Sequence, residues 1–343
     1  YDAPGERVEA GVPEALLAPW PKDAPRNRLG LARWLTQRDH PLTARVVVNR
    51  FWAQLFGTGL VKTLEDFGSQ SEWPSHPELL DWLARDFVDG AWDVKAFFKR
   101  AVLSATYRQS SAVSPELLAR DPENRLLARG PRGRLPAELI RDQALAISGL
   151  LAPAIGGPSV FPYQPEKLYD GIVVGAAYPG TVWTTGAGAE LHRRSLYTFW
   201  KRTVPHPAMI AFDAPDREFC TVRRSRTNTP LQALVLWNEP GLLEAARHLA
   251  ARMLREGGPD DTTRAAFAFR LATARLPSPA ETRVLASTLA RLRVDFSTTP
   301  DEAAALLRVG ATAPDAALPP AELAAAMSVA SMILSLDETI TKN

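Results

Sequence analysis

The chain has 343 residues, enough for about two domains at roughly 150 residues each. Of these, 46% are hydrophobic and 23% charged, a balance that excludes wholesale disorder and supports a sizeable core. The net charge of +2 is too small for a nucleic-acid footprint spread over the surface, and the single cysteine, Cys220, excludes an internal disulfide framework, a cysteine zinc cluster and a haem attachment motif within these residues.

The first residues, YDAPGERVEAGVP, are polar and turn-rich, with no initiator methionine or signal peptide, and read as the inside of a longer protein. Helical periodicity then predicts helices over Arg28 to Gln37 and Thr43 to Phe56. In the second, Asn49 and Arg50 interrupt the apolar run VVVNRFW. Both need partners, and Arg50 is expected to pair with Glu65, Asp66 or another carboxylate. Trp34, Trp52 and Trp82 fall in helical register with leucines and phenylalanines and are expected in the core. In PSHPELLDWLARDFVDG, Ser75 and Glu78 have capping-box spacing, Leu79, Leu80, Leu83 and Phe87 share a face, and Gly90 ends the run. Helices over Val94 to Ser104 and Pro136 to Leu150 follow.

From Leu151 to Ala189 the helix signals cease, and seven glycines and several prolines replace them. Aromatic residues predict that this irregular region is ordered and packed on the helical body, since flexible spacers lack them. Tyr163, Tyr169, Tyr178 and Trp183 lie among its glycines and are candidates for a platform on which a sugar or another ring stacks. RRSLYTFWKR then reads as a strand or an extended segment with alternating polarity. Helices resume over Pro230 to Trp237, Pro240 to Arg255, Asp261 to Ala274, from Pro279 with Ser278 and Glu281 as capping box, Asp301 to Arg308, and Pro320 to Leu336. The uncharged stretch Leu323 to Leu336 has fourteen residues, three of them serine, too few for a membrane span. The expected fold is therefore mainly α: a multi-helix globular domain with a long Gly/Pro/aromatic-rich irregular insertion and short strands. It is read as one domain over 1–343, with helical subregions 1–150 and 190–343 joined by an ordered loop region, 151–189.

Polar chemistry concentrates between Glu190 and Arg226, where eight cations face four carboxylates. Thr229 before Pro230 is a strong helix start, so the free N–H groups of that helix point back at Arg223, Arg224, Arg226 and Asn228. Arg193, Arg194, Lys201, Arg202, Arg223, Arg224, Arg226, Asn228 and Thr229 form the candidate ligand-binding set, suited to phosphate, sulfate or carboxylate. The competing and heavier reading is an internal clamp, in which the arginines neutralise Asp213, Asp216 and Glu218. In a catalytic reading Asp213 or Asp216 would be the base and the arginines would stabilise charge. No histidine pair has the i, i+4 spacing of a helical metal site, no EF-hand or phosphate-binding loop is present, and GAGAEL lacks the third glycine of a dinucleotide fingerprint. Neither a metal nor a cofactor is expected in this chain.

The strings HPLTARVVVNRFW, EDFGSQSEWPSHPELLDWLA, SATYRQSS, RRSLYTFWKR and RTNTPLQALVLWNEP, together with SLDETI near the end, resemble the planctomycete and verrucomicrobial PSD domain, domain of unknown function 1553. His206 in TVPHP departs from that pattern, which has proline there. The resemblance implies an extracytoplasmic setting, periplasmic or cell-surface. It also implies an upstream c-type cytochrome-like domain that carries haem, and a second uncharacterised domain in the same polypeptide. It carries over no catalytic residues. Two functional classes follow: a binding or docking module for an anionic glycan or for the cytochrome-like domain, or an enzyme acting on polysaccharide or in haem-linked redox chemistry. Neither nucleic acid nor a membrane span is among the expected partners.

Overall fold

The computed structural model describes residues 3, 5–165, 168 and 183–342. Among them are fourteen α-helices and a two-stranded pair, Gly133–Arg134 (β1) with Thr341–Lys342 (β2). The mainly α class expected from the sequence is the class observed. Two compact units are distinguished, one ending at Gly133 and one from Arg134 to Lys342.

The first unit contains α1 (Arg28–Leu35), α2 (Thr43–Phe56), α3 (Pro77–Asp89), α4 (Val94–Leu103) and the short α5 (Pro115–Arg120). Its core gathers Val48, Trp52 and Phe56 of α2 with Leu80, Leu83 and Phe87 of α3 and Phe97 of α4, and Phe51, Phe87, Phe97 and Phe98 meet edge-on or tilted. Three expectations are corrected. The Ser75 capping box does not form: the N-cap is His76, with Pro77 at the first helical position, while the Ser75 N–H donates to the Leu60 carbonyl. Trp34 and Trp52 are buried, but Trp82 is 54% exposed, because its register puts it on the solvent face, beneath the Arg100 guanidinium. Arg50 is exposed and makes no ion pair with Glu65 or Asp66 among the described residues.

Asn49 is where the polar interruption is used. It is fully buried; its Nδ2 donates to the Val61 carbonyl at 2.9 Å and its Oδ1 accepts from the Val61 N–H at 2.9 Å. That pair ties the loop after α2 back onto the helix. Asn49→Ala is expected to cost about 1–3 kcal/mol in denaturant unfolding, because both Val61 groups lose their partner. Arg50→Met should stay within about 0.5 kcal/mol, as surface changes do.

The second unit contains α6 (Ala137–Ser148), α7 (Pro207–Ala211), α8 (Pro230–Asn238), α9 (Pro240–Glu256), α10 (Asp261–Thr273), α11 (Pro279–Thr298), α12 (Pro300–Leu307), α13 (Pro320–Leu334) and α14 (Asp337–Ile340). Proline opens six of these helices at the first helical positions, and the Ser278/Glu281 capping box on α11 forms as expected. α13 is buried nearly all round and lies against α9, α10, α11 and α12. Its alanines, with Ala245, Ala246 and Ala250 of α9 and Ala265 and Ala268 of α10, let these helices approach closely. α9 also meets α6. α6 therefore belongs with the C-terminal helices, although the sequence placed it at the end of the 1–150 subregion.

The described parts of the irregular region, 151–165, 168 and 183–189, contain no helix longer than a 3-10 turn. The strand expected at 193–202 is corrected: the segment bends into a 3-10 turn at Ser195–Tyr197 and keeps only two isolated parallel bridges, Ala152 to Arg193 and Val160 to Thr198. The cause is local, since the Ser195 N–H donates to Asp142 Oδ1 at 2.7 Å, on α6, instead of to a neighbouring strand.

Candidate functional site

Two groups of polar side chains in the second unit have the character of sites: an exposed arginine face and a buried network. The exposed face begins after α7, where Asp213 takes a left-handed backbone conformation, φ 60°. Its carboxylate accepts from the Thr227 N–H at 2.9 Å, from the Thr227 hydroxyl at 2.8 Å and from the Arg134 guanidinium. Burial pushes the Asp213 pKa up, but these donors outweigh it and hold it below the usual carboxylate value. Arg134 also donates to the Thr227 carbonyl and to Gln232 Oε1. Asp213 is thus a latch that fixes the segment before α8, and its oxygens are committed to that task.

Of the three arginines expected to clamp onto Asp213, Asp216 and Glu218, one has a carboxylate partner among the described residues, and it is a different acid. Arg224 forms a two-pronged ion pair with Glu138 of α6, at 2.7 and 3.1 Å. Neither Arg223 nor Arg226 pairs with a carboxylate among the described residues, and both are exposed together with Asn228 and Thr229. Thr229 occupies the N-cap position of α8, yet its side chain makes no capping hydrogen bond. Asp216 is exposed, and its Oδ1 accepts from the Glu218 N–H at 3.0 Å. Arg217 stacks over the Trp200 ring. Phe219 (82%), Leu231 (56%), Leu234 (58%) and Trp237 (44%) are exposed on the same stretch and helix.

The remaining cations of the set are distributed differently. Arg193 is buried and structural: its guanidinium donates to the carbonyls of Ala154, Gly156 and Pro158 and lies on the Tyr197 ring. Arg194 lies 3.6 Å from Asp142. Lys201 is half-buried and Arg202 exposed. Of the aromatic candidates, Tyr163 and Trp183 are half-buried, and Tyr169 and Tyr178 lie outside the described residues.

The buried network was not visible in the sequence. Glu244 of α9 is completely buried. Its Oε2 accepts from the Tyr163 hydroxyl at 2.8 Å and from His192 Nε2 at 3.1 Å. Oε1 accepts from the Thr312 N–H, the Thr312 hydroxyl and the Ala311 N–H, at 2.7, 2.6 and 3.1 Å. Arg247 and His248 donate to the Thr312 hydroxyl oxygen. Burial pushes the Glu244 pKa up, yet this set of donors holds it far below the usual carboxylate range. Gly310 is required beside it, at φ 94°, since a Cβ there would stand 2.6 Å from the Glu244 carboxyl carbon.

Next to this network stand Arg141, Glu239 and His206. Arg141 donates to the carbonyls of Leu191 and Arg193 and to the Ser195 hydroxyl. Glu239 caps α9 through the Leu242 N–H at 2.7 Å, and burial raises its pKa. His206 is buried; its Nε2 donates to the Tyr163 carbonyl at 2.9 Å. Burial, with the Arg141 charge adding to it, pushes its pKa down to about 4. Among the described residues, no group of three or more histidine, cysteine, aspartate or glutamate side chains is arranged to hold a metal ion.

These features define a helical protein in which arginines hold the described parts of the irregular segment and which presents an exposed cationic face before α8. The chain belongs to the PSD1 family, described as a protein of unknown function (DUF1553), whose sequence pattern matches residues 27–289. The match runs from the Asn27 cap of α1 into α11; it takes in the arginine face and Glu244, and ends before Thr312, which closes the buried network. No curated protein and no solved structure matches the chain.

Proposed function

We propose that the second unit is a binding module whose face from Phe219 to Trp237 recognises an anionic partner, a sulfated or carboxylated glycan being the ligand class that its arginines suit. The reading is supported by one observation above all: Arg223 and Arg226 stand exposed before α8 without a carboxylate partner among the described residues, while Asp213, one of the three acids that precede them in the chain, is taken up by Arg134 and Thr227. Guanidinium forks hold sulfate and carboxylate with paired hydrogen bonds, and the positive end of α8 adds to them. The extracytoplasmic location and the cytochrome-like and second uncharacterised domains of the same polypeptide belong to this proposal through the resemblance. The enzymatic alternative, acting on polysaccharide or in haem-linked redox chemistry, would have to use Asp216 as its base, because the Asp213 carboxylate is taken up by Arg134 and Thr227, and Asp216 is exposed to solvent.

A second reading is favoured by the exposed Phe219, Leu231, Leu234 and Trp237. Aromatic and apolar side chains mixed with arginine are characteristic of the centre of a protein interface, so the face also suits docking onto an acidic domain of the same polypeptide. An Arg223→Gln, Arg226→Gln double variant separates function from folding. It should unfold within about 0.5 kcal/mol of the parent and bind heparan sulfate and polygalacturonate about tenfold or more weakly, an effect that shrinks with added salt. Parent-like binding of both polymers by the double variant would remove the glycan reading. Leu234→Ser with Trp237→Ala should leave the glycan affinities unchanged and abolish binding to an acidic partner domain.

A further inference from the structure

Helix α2 starts without the side chains that start many of its neighbours. Asn27, Asp93, Ser114, Glu239, Asp260 and Ser278 cap α1, α4, α5, α9, α10 and α11 with an oxygen. The N-cap of α2 is Leu42, whose side chain has no acceptor, and no acid occupies the first turn. An imidazole takes that place. His40 Nδ1 accepts from the Leu42 N–H at 3.2 Å and from the Thr43 N–H at 3.1 Å, and it lies 3.0 Å from the Thr43 hydroxyl. A backbone N–H can only donate, so these bonds fix the tautomer: Nδ1 is bare and the ring proton is on Nε2.

The surroundings leave no room for a second proton. His40 is 9% exposed, and Nε2 has no hydrogen-bond partner among the described residues. The ring stands edge-on to Trp34 of α1, with centroids 4.5 Å apart, and the Trp34 indole N–H donates to the Ala18 carbonyl at 2.7 Å. The imidazole therefore joins the end of α1 to the start of α2. The charged groups near it are directed elsewhere. Arg38 pairs with Asp89 of α3, Arg85 of α3 with Asp39, and Arg45 of α2 with Asp81 of α3. Arg45 also donates to the Pro41 carbonyl, and Arg28 and Arg33 of α1 are exposed. A proton on Nδ1 would point at two groups that can only donate, and its charge would stand at the positive end of a helix. Burial pushes the His40 pKa down. An asparagine or serine oxygen would cap this helix at every pH, whereas a histidine caps it only while neutral.

We propose that His40 is a proton-operated latch at the junction of α1 and α2: the neutral imidazole closes the first turn of α2, and uptake of a proton releases it. Because the folded value lies below the 6.5 of an unperturbed histidine, the latch is fully closed above 6.5. Its contribution is lost as pH falls from there through the folded value. The latch lies in the first unit and does not depend on the Phe219 to Trp237 face.

Nitrogen NMR of the full chain, combined with amide hydrogen exchange, tests it. At pH 7 the His40 ring should carry its proton on Nε2. Below pH 6.5 the Leu42 and Thr43 amides should lose protection, corrected for intrinsic exchange, by up to about tenfold per pH unit until the folded value is passed. His40→Asn, which supplies an oxygen that takes up no proton, should keep these amides protected at pH 7 and abolish the pH response. His76→Gln, at the other histidine of the first unit, should leave the response as in the parent. Should His40→Asn fail to fold, the tautomer and pH profile of the parent decide alone. A proton on Nδ1 at pH 7, protection that stays level from pH 7 to 5, or a response that survives in His40→Asn would each overturn the proposal.

Discussion

Replacing Glu244 by leucine is expected to cost on the order of 3–5 kcal/mol of stability in the second unit, the usual consequence of removing one partner from a buried ionic network. The carboxylate accepts from Tyr163, His192, Thr312 and Ala311, and leucine would leave all of these donors buried and unmatched. Denaturant unfolding at neutral pH measures it, with Arg50→Met as the surface control. A loss under about 1 kcal/mol would mean that the donors rearrange onto water. The pH dependence has a definite sign. Because the folded pKa lies below the ordinary glutamate value of 4.5, the stabilisation is complete above that value and is lost as pH falls beneath it. The leucine variant should lack this part of the acid transition.

The second large effect belongs to His206 and works in a higher pH window. Its pKa is about 4 in the folded chain against 6.5 for an unperturbed histidine, so below 6.5 the unfolded chain takes up a proton that the folded chain refuses. Stability should therefore fall as pH drops from 6.5 to 4, by about 3 kcal/mol for a shift of this size at about 1.4 kcal/mol per unit. Burial also lowers the pKa of His40 and His248, so the parent's slope is a composite. His206→Gln should remove the largest single part of it. Denaturation midpoints at pH 7, 5.5 and 4.5 give the comparison, and an identical slope in the variant would show that His206 is protonated in the folded state.

Helix positions were legible in the sequence because the chain states them locally: proline at first helical positions, Ser278 with Glu281, and the periodic faces of α2 and α3. α5, α7 and α14 were missed because six, five and four residues are too short to display a period. The partners of the arginines were illegible for a different reason. Arg224 and Glu138 are 86 positions apart, and Arg134 and Asp213 are 79 apart, whereas a sequence reading pairs charges with neighbours in the chain. Glu244 shows a further limit. In PGLLEAARHLAARMLRE a glutamate three and four residues before arginine and histidine reads as a solvated helix face, and only the fold brings Thr312 over it. One local signal was present: Gly310, a glycine just beyond α12, marks the place where the chain must pass close to something.

The arginines that hold the segments around residues 154–158 and 191–195 give the positive charge of this part of the chain another meaning. Backbone outside helices and sheets must find donors for its carbonyls, and here Arg193 supplies them to Ala154, Gly156 and Pro158 while Arg141 supplies them to Leu191 and Arg193. Each guanidinium stands in for a missing strand, its several N–H groups splinting a stretch of chain with no ladder of its own. Lysine presents its three N–H donors from a single nitrogen and lacks the planar fork that reaches carbonyls spread along a loop. Part of the local excess of cations is therefore scaffolding, and a screen for ligand sites that counts charge along this sequence would overrate the segment by the arginines that face inward.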